Sequence, residues 1–546
     1  MHRLSLPIVF LVLSILACGQ AAPISTNTAQ PLSTQQTPSK NPRFTIAVEY
    51  AILGVAPAYT AVGVSYAKVQ DAFVLWGNIE PKPGQYNWGP LDALVREYQQ
   101  ANFSGLQMDL SALSPWASSK PPTLTDPGDA FPKQEYLDDY AAYVSAVVER
   151  YDGDGVGDMP GLLYPIHDYG IEREFTGFWP GSAEEYVRLL KIAYPAVKSA
   201  DPQANVLLVA LLMTDVFDGN PSQAEINRRS AQTPKYMRKS VPDIQTILAA
   251  CDAYDIVDFH ALGNYTEIPL TAAWIRDQLK ADGCGSKPIW IGDAFPMSSL
   301  VGYGGFVPPI PFAPAALATR DSVVETLKSI ADPAAQDHAA AQAWLYAETA
   351  RGLTRKIVVS AGEGLLGINV GNLEDWKTGI PSVDKASVPL LGASMFMGMT
   401  DTTTTNQMPG GSLPFSGQEW SKSRRVGMLR PAYAALDLVI EKIAGFSSVE
   451  KMDLGTGIWA YQFETPAGLV WVLWYDDGKL YLPGQTPPST TIQLAFPAAS
   501  ARLTWTPTQT GQSLPESQIL AATNGVIPLT IDATPIFVEV KPGSGP

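Results

Sequence analysis

"LLYPIHDYGIEREFTGFWPGSAEEYVRLLKIAYPAVKSADPQANVLLVALL", residues 162–212, holds a short apolar run, a helix-patterned stretch and a second apolar run. In the middle part apolar residues recur three and four apart, as on one helix face. The flanking runs are short and bounded by Pro, Gly and Asp, and read as strands. Strand, helix, strand in this order makes two parallel strands joined by a helical crossover. The first strand runs into Glu172 and Glu174. Buried carboxylates are costly, so this pair either does chemistry or is what remains of chemistry that has been lost.

The same alternation extends from about residue 43 to 446. Strand candidates are "FTIAVEY", "DAFVLWGNI", "FSGLQMDL", "LLYPIHDYGI", "ANVLLVALL", "DIVDFHAL", "KPIWIGDA" and "KIVVSAG". Helix-patterned segments such as "LDALVREYQQA", "EYLDDYAAYVSAVVERY" and "IPLTAAWIRDQLKA" lie between them. About eight strand–helix units suggest a closed (β/α)8 TIM barrel. The competing doubly wound open sheet lacks its Gly-rich phosphate loop after the first strand. Residues 447–546 change character to "GIWAYQFET", "GLVWVLWYDD", "STTIQLAF", "ARLTWTP" and "PIFVEVKP". These short runs between Gly/Pro/Asp turns predict a small C-terminal antiparallel β-sandwich.

Residues 1–18, "MHRLSLPIVFLVLSILAC", read as a secretory signal with a lipobox-like end, which makes Cys18 a lipidation site. Residues 19–42 are rich in Ser, Thr, Gln and Pro and read as a flexible linker. The expected location is therefore extracytoplasmic, lipid-anchored to a bacterial membrane or secreted. The net charge of −16 argues against nucleic acid or an anionic membrane surface as partner. Cys251 and Cys284 are an even pair in an exported chain, permissive for a disulfide, and both precede strand-like runs. In "DGDGVGD", Asp152, Asp154 and Asp158 come near calcium-loop spacing without the fifth-position ligand or closing Glu of an EF-hand. A tight Gly/Asp turn is the favoured reading there, and no metal or organic cofactor is expected.

The segment from Glu149 to Leu208 resembles the middle of a clan A glycoside hydrolase, of the β-xylosidase, iduronidase and β-galactosidase kind. In that family strand four ends in Trp-Glu-Ile-Gly-Asn-Glu, the last Glu being the acid/base. Here the run is Tyr169-Gly170-Ile171-Glu172-Arg173-Glu174, so the resemblance implies Glu174 as acid/base. "VLWGNIEPKPGQYNWGPLDALV" is similar to the strand-two region and "SPWAS" to the end of strand three. "DIVDFHALGNY" resembles strand six and puts His260 at a substrate-contacting position, while "KPIWIGDAF" resembles strand seven and puts Asp293 at the nucleophile position. The implied partner is a carbohydrate.

Two departures sit on the chemistry. The Asn preceding the acid/base is Arg173, a cation expected to favour the carboxylate form of Glu174. Asp293 replaces Glu and withdraws its carboxyl by about 1.5 Å, where a retaining pair stands only about 5–5.5 Å apart. If strand four runs on, Glu172 and Glu174 share a face and Arg173 points the other way. Glu172, Arg173, His260, Trp116 and Trp179 are the candidate substrate-binding residues. Glu80 reads as a loop-fixing residue, and Ser360 and Glu363 lie near the expected eighth strand end. A surface-anchored hydrolase of β-linked glycosides is the leading reading. A former glycosidase that binds sugar without cutting it, or serves as a structural envelope lipoprotein, is the alternative.

Overall fold

The computed structural model describes residues 44–120, 129–217, 219–231, 239–296, 317–375, 396–407, 422–512 and 515–540. The expected signal with Cys18, the linker, and most of the Pro/Gly-rich inserts at 296–320 and 377–423 lie outside the described residues.

Eight strands close into a barrel in chain order: β1 Thr45–Ala51, β2 Tyr66–Val69, β3 Gly105–Leu110, β4 Asp168–Ile171, β5 Asn205–Leu212, β6 Ile256–His260, β7 Ile289–Ala294 and β8 Gly367–Val370. Each neighbouring pair is parallel, including the β8–β1 pair that shuts the ring. The helices that follow the strands are α1 Ala56–Thr60, α2 Gly89–Gln100, α3 Leu137–Tyr151, α4 Ala183–Ala200, α5 Val241–Leu248, α6 Glu267–Ala281, α7 His338–Gly362 and α8 Pro431–Ile443. Local chemistry sets their starts. At α4 the Ser182 hydroxyl accepts from the Glu185 amide while the Glu185 side chain accepts from the Ser182 amide; Ser240 and Asp243 repeat this capping box at α5.

Strand parity divides the side chains. Val48, Met108, Ile171, Leu208, Val257 and Ile291 join the main core with the helices. Ala47, Leu207, Val209 and Trp290, with Tyr66 against them, form a separate apolar cluster that fills the lower lumen.

Two strand expectations are corrected. The second strand is Tyr66–Val69; "DAFVLWGNI" instead forms a 3-10 turn, Asp71–Phe73, and a single helical turn, Trp76–Ile79. Trp76 and Ile79, three apart, are both buried on that turn, a spacing that suits a helix better than a strand. "KIVVSAG" is not the eighth strand but the last two turns of α7, and β8 is the "GINV" that follows. Its β-branched run mimics a strand because this part of α7 is buried on all sides. Ser360 is therefore a buried helix residue and Glu363 the helix C-cap.

The tail holds a six-stranded antiparallel sheet, in the order Ser448–Lys451, Ile458–Thr465, Gly468–Tyr475, Ile536–Val540, Ser500–Trp505, Ser517–Ala521. A separate antiparallel pair, Thr490–Ala495 with Val526–Ile531, shares its core: Leu473, Leu503 and Val538 of the sheet pack with Ile492, Leu494 and Leu529 of the pair. α7 touches both halves of the molecule. Trp344 Nε1 donates to Tyr481 O at 2.7 Å, Arg351 Nε to Thr534 Oγ1 at 3.1 Å, and Arg355 to Ala533 O. The next residue, Lys356, donates to Ala261 O just past β6. Cys251 and Cys284 are disulfide-bonded, with Cα atoms 5.8 Å apart, in the segments that lead into β6 and β7.

Candidate active site

β4 ends at Ile171, and the next residue leaves the strand sharply: Glu172 has φ +68°, in the left-handed region. This turn separates the two glutamates. Glu172 Oε1 accepts from the Ala112 amide at 2.5 Å and Oε2 from Ser111 Oγ at 2.9 Å, both at the end of β3. Burial pushes its carboxyl up to about 7, against the pull of those two donors and of Arg173. The expectation that Glu172 and Glu174 share a face is thus corrected, because the backbone turns between them. Glu172 braces the wall between β3 and β4. The half-buried Arg173 acts electrostatically on Glu172.

Glu174 stands just before the single turn Phe175–Phe178 without capping it, and its side chain reaches the end of β6, where Oε2 lies 2.7 Å from His260 Nδ1. Both side chains are buried, and His260 Nε2 has no hydrogen-bond partner among the described residues. Burial resists charge on the imidazole, but the hydrogen bond and charge of Glu174 outweigh it and raise the His260 pKa.

Asp293 reaches the same place through a bulge. Phe259 pairs with Ile291 and His260 with Asp293, so β7 carries one more residue than β6 over that step. The extra residue puts Asp293 level with inward-facing His260. Gly292 is required there, since a Cβ on it would stand 2.1 Å from Asp258 Oδ2. Burial raises the Asp293 pKa, with His260 and Lys68 opposing and Glu174 adding to the rise. The two candidate catalytic carboxyls, from the ends of β4 and β7, therefore act on one imidazole and on each other.

Beneath them lies a polar layer. Lys68 Nζ stands 2.7 Å from Glu49 Oε1 and 3.8 Å from Asp109 Oδ2. Gln107 Nε2 donates to Asp109 Oδ1 at 2.9 Å, and Asn369 Nδ2 to Gln107 Oε1 at 3.3 Å. Asp258 Oδ1 accepts from the Gly292 amide at 2.7 Å, while its Oδ2 has no partner among the described residues. Burial pushes Asp258 up to about 7 even with His260 and Lys68 nearby. This layer was missed in the sequence. The signal was there: Glu49, Lys68, Gln107, Asp109, Asp258 and Asn369 are polar residues at lumen parity within apolar strands.

The tryptophans divide. Trp179 is buried, donates to Ser182 O at 2.8 Å and packs on Tyr186, so it belongs to the wall and presents no sugar-stacking face. Trp116 is half-buried, donates to Glu80 O at 2.9 Å and meets Trp76 edge-on at 4.8 Å. Glu80 fixes its loop, accepting from Trp76 Nε1 at 2.6 Å and the Gly84 amide at 2.5 Å. Asp152, Asp154 and Asp158 come together, each with a carboxylate oxygen within 4.8 Å of the others'. Their oxygens accept from the amides of Gly153, Asp154, Gly155 and Val156, as a tight Asp/Gly turn requires.

No protein-family model matches the chain, and no curated protein matches it. Solved structures do. A family 39 glycoside hydrolase from the gut symbiont Bacteroides cellulosilyticus aligns with TM-score 0.53 at 13% identity, over 92% of this chain and 81% of its own. A monomeric β-xylosidase from Caulobacter crescentus gives 0.54 at 12%, over 93% and 98%. A family 39 enzyme from Xanthomonas axonopodis pv. citri gives 0.51 at 12%, over 92% and 95%. The closed parallel barrel of this chain, with its antiparallel C-terminal sheets, thus has the fold of the clan A glycoside hydrolases.

Proposed function

We propose that this chain hydrolyses a β-linked glycoside with Glu174 as acid/base and Asp293 as nucleophile. The observation that carries the reading is the convergence of Glu174 and Asp293 on His260 at the carboxyl ends of β4, β6 and β7, the face where barrels of this kind do their chemistry. Glu174 and His260 share one proton. Imidazolium with carboxylate, and neutral imidazole with carboxylic acid, are its two placements. In the second placement Glu174 protonates the leaving oxygen as the glycosidic bond breaks, and Asp293 attacks the anomeric carbon. Glu174 then takes a proton from water, whose oxygen displaces Asp293. Burial raises the Asp293 pKa, and Lys68 opposes it, favouring the ionised form that attack requires.

One observation favours the alternative of a sugar-binding protein that does not cut. The raised His260 pKa biases the shared proton away from Glu174, the wrong direction for a general acid. Trapping decides between the two. A 2-deoxy-2-fluoro-β-xyloside with a good leaving group should add its glycosyl mass to the peptide carrying Asp293. Glu174→Gln and Asp293→Asn should each abolish release of nitrophenol from nitrophenyl β-glycosides. Turnover unchanged in both variants rejects the assignment. For location, the signal-like run of residues 1–18 and the Cys251–Cys284 disulfide support the reading of an extracytoplasmic protein, for which the lipobox-like end makes Cys18 the proposed anchor.

A further inference from the structure

β1 carries a bulge that matches the one in β7. Val48 pairs with Ala67 and Ala51 with Val69, so Glu49 and Tyr50 together oppose Lys68 alone. Such a bulge breaks the strict alternation of the strand and re-aims a side chain. Lys68 Nζ is accordingly 2.7 Å from Glu49 and 5.7 Å from the Tyr50 ring centroid. The Tyr50 backbone has φ +54°, a conformation disfavoured for a bulky side chain. Strain of this sort persists where its surroundings over-determine it, and it clusters at functional sites.

The phenol ring thus stands on the lumen side, above the Lys68–Glu49 pair, at the carboxyl end of β1. Only β8 separates β1 from β7 in the ring, which brings the two bulged ends to the same side of the opening. Asp293, Glu49, Asp71 and Lys68 all act electrostatically on the Tyr50 hydroxyl. That hydroxyl makes no hydrogen bond to any described residue, and Tyr50 keeps part of its surface exposed. Four other phenols packed about the barrel are used: Tyr66 donates to Asp168, Tyr98 to Ile52 O, Tyr143 to Val74 O and Tyr186 to Ile171 O. Those of Tyr140 and Tyr169 are sealed in the core without a partner among the described residues and so, unlike Tyr50, are closed to a ligand.

We propose that Tyr50 is a ligand-contacting residue of this site, its hydroxyl aimed to hydrogen-bond a sugar hydroxyl held over Asp293. This rests on the sugar-site reading above. It adds a contact from β1, a strand to which the sequence resemblance assigns no site residue.

The test measures binding, so that turnover does not enter. Full-length protein carrying Glu174→Gln is titrated with xylobiose, cellobiose and lactose by calorimetry, with and without Tyr50→Phe. Loss of one neutral hydrogen bond should weaken the sugar that binds best by about three- to tenfold. The thermal midpoint should be unchanged, since the ring and the backbone are retained. Equal affinity with and without the hydroxyl overturns the inference and leaves the sugar site standing. Failure of the parent protein to bind any of the three sugars overturns the sugar site, and this contact with it.

Discussion

Gly292→Ala tests the bulge that aims Asp293. The added Cβ would lie 2.1 and 2.4 Å from the two Asp258 carboxylate oxygens and 2.5 Å from its Cγ. Relief needs more than 1 Å of movement, since ordinary contact starts at 3.4 Å. Asp258 has nowhere to go: it is fully buried and tied to the Gly292 amide at 2.7 Å. Overpacking of this kind costs about 1–3 kcal/mol, and a displaced, unsatisfied carboxylate adds about 1–3 kcal/mol. A loss of about 2–6 kcal/mol is expected by urea denaturation. If β7 yields instead, Asp293 shifts by about 1 Å, for which a rate loss on the order of a hundredfold is expected. Asp258→Ala removes the obstacle, so the double variant should be at least about 1 kcal/mol more stable than the two single changes sum to. Gly292→Ala with wild-type stability and activity, or an additive cycle, refutes the reasoning.

Asp258 itself sets a pH dependence. Its folded pKa, about 7, is above the unfolded value, so the native state binds the extra proton. The group's contribution is most favourable at acid pH and is lost as pH rises from about 4 to about 7. The loss is at most about 4 kcal/mol, from 1.36 kcal/mol per unit. Asp258→Asn should flatten the fall in urea midpoint between pH 4.5 and 8; an unchanged slope contradicts this. Replacing Cys251 and Cys284 by Ser opens a loop of 33 residues and should cost about 3–4 kcal/mol of unfolding free energy. An equal midpoint in reduced wild type, oxidised wild type and variant would show that the crosslink adds nothing.

The barrel was legible because hydrophobic periodicity reports whether a segment lies on a sheet or a helix, and "FTIAVEY" or "KPIWIGDA" is unambiguous in that respect. "KIVVSAG" was not. A helix buried on all sides loses its polar stripe, and its β-branched residues then read as a strand. The placement of Glu174, His260 and Asp293 at neighbouring strand ends was legible, because motif alignment fixes position there; their chemical roles are the proposal made above. Bulges were invisible. One extra residue in β1 or β7 leaves no mark in composition, yet it decides that Tyr50 and Asp293 face the lumen. The left-handed turn at Glu172 was hidden for the same reason: Glu rarely takes φ +68°, and no neighbouring glycine announces it.

Adjacent residues on α7 grip different halves of the molecule, Arg355 the carbonyl of Ala533 in the tail and Lys356 the carbonyl of Ala261 beside His260. Successive helical residues are rotated by about 100°, so both attachments depend on one rotational phase. Inserting or deleting a single residue upstream in α7 would swing both side chains off their acceptors at once. The tail is thus geared to the strand ends of the candidate site rather than appended to them. A chain trimmed after α8 would lose its hold on the helix that steadies β6.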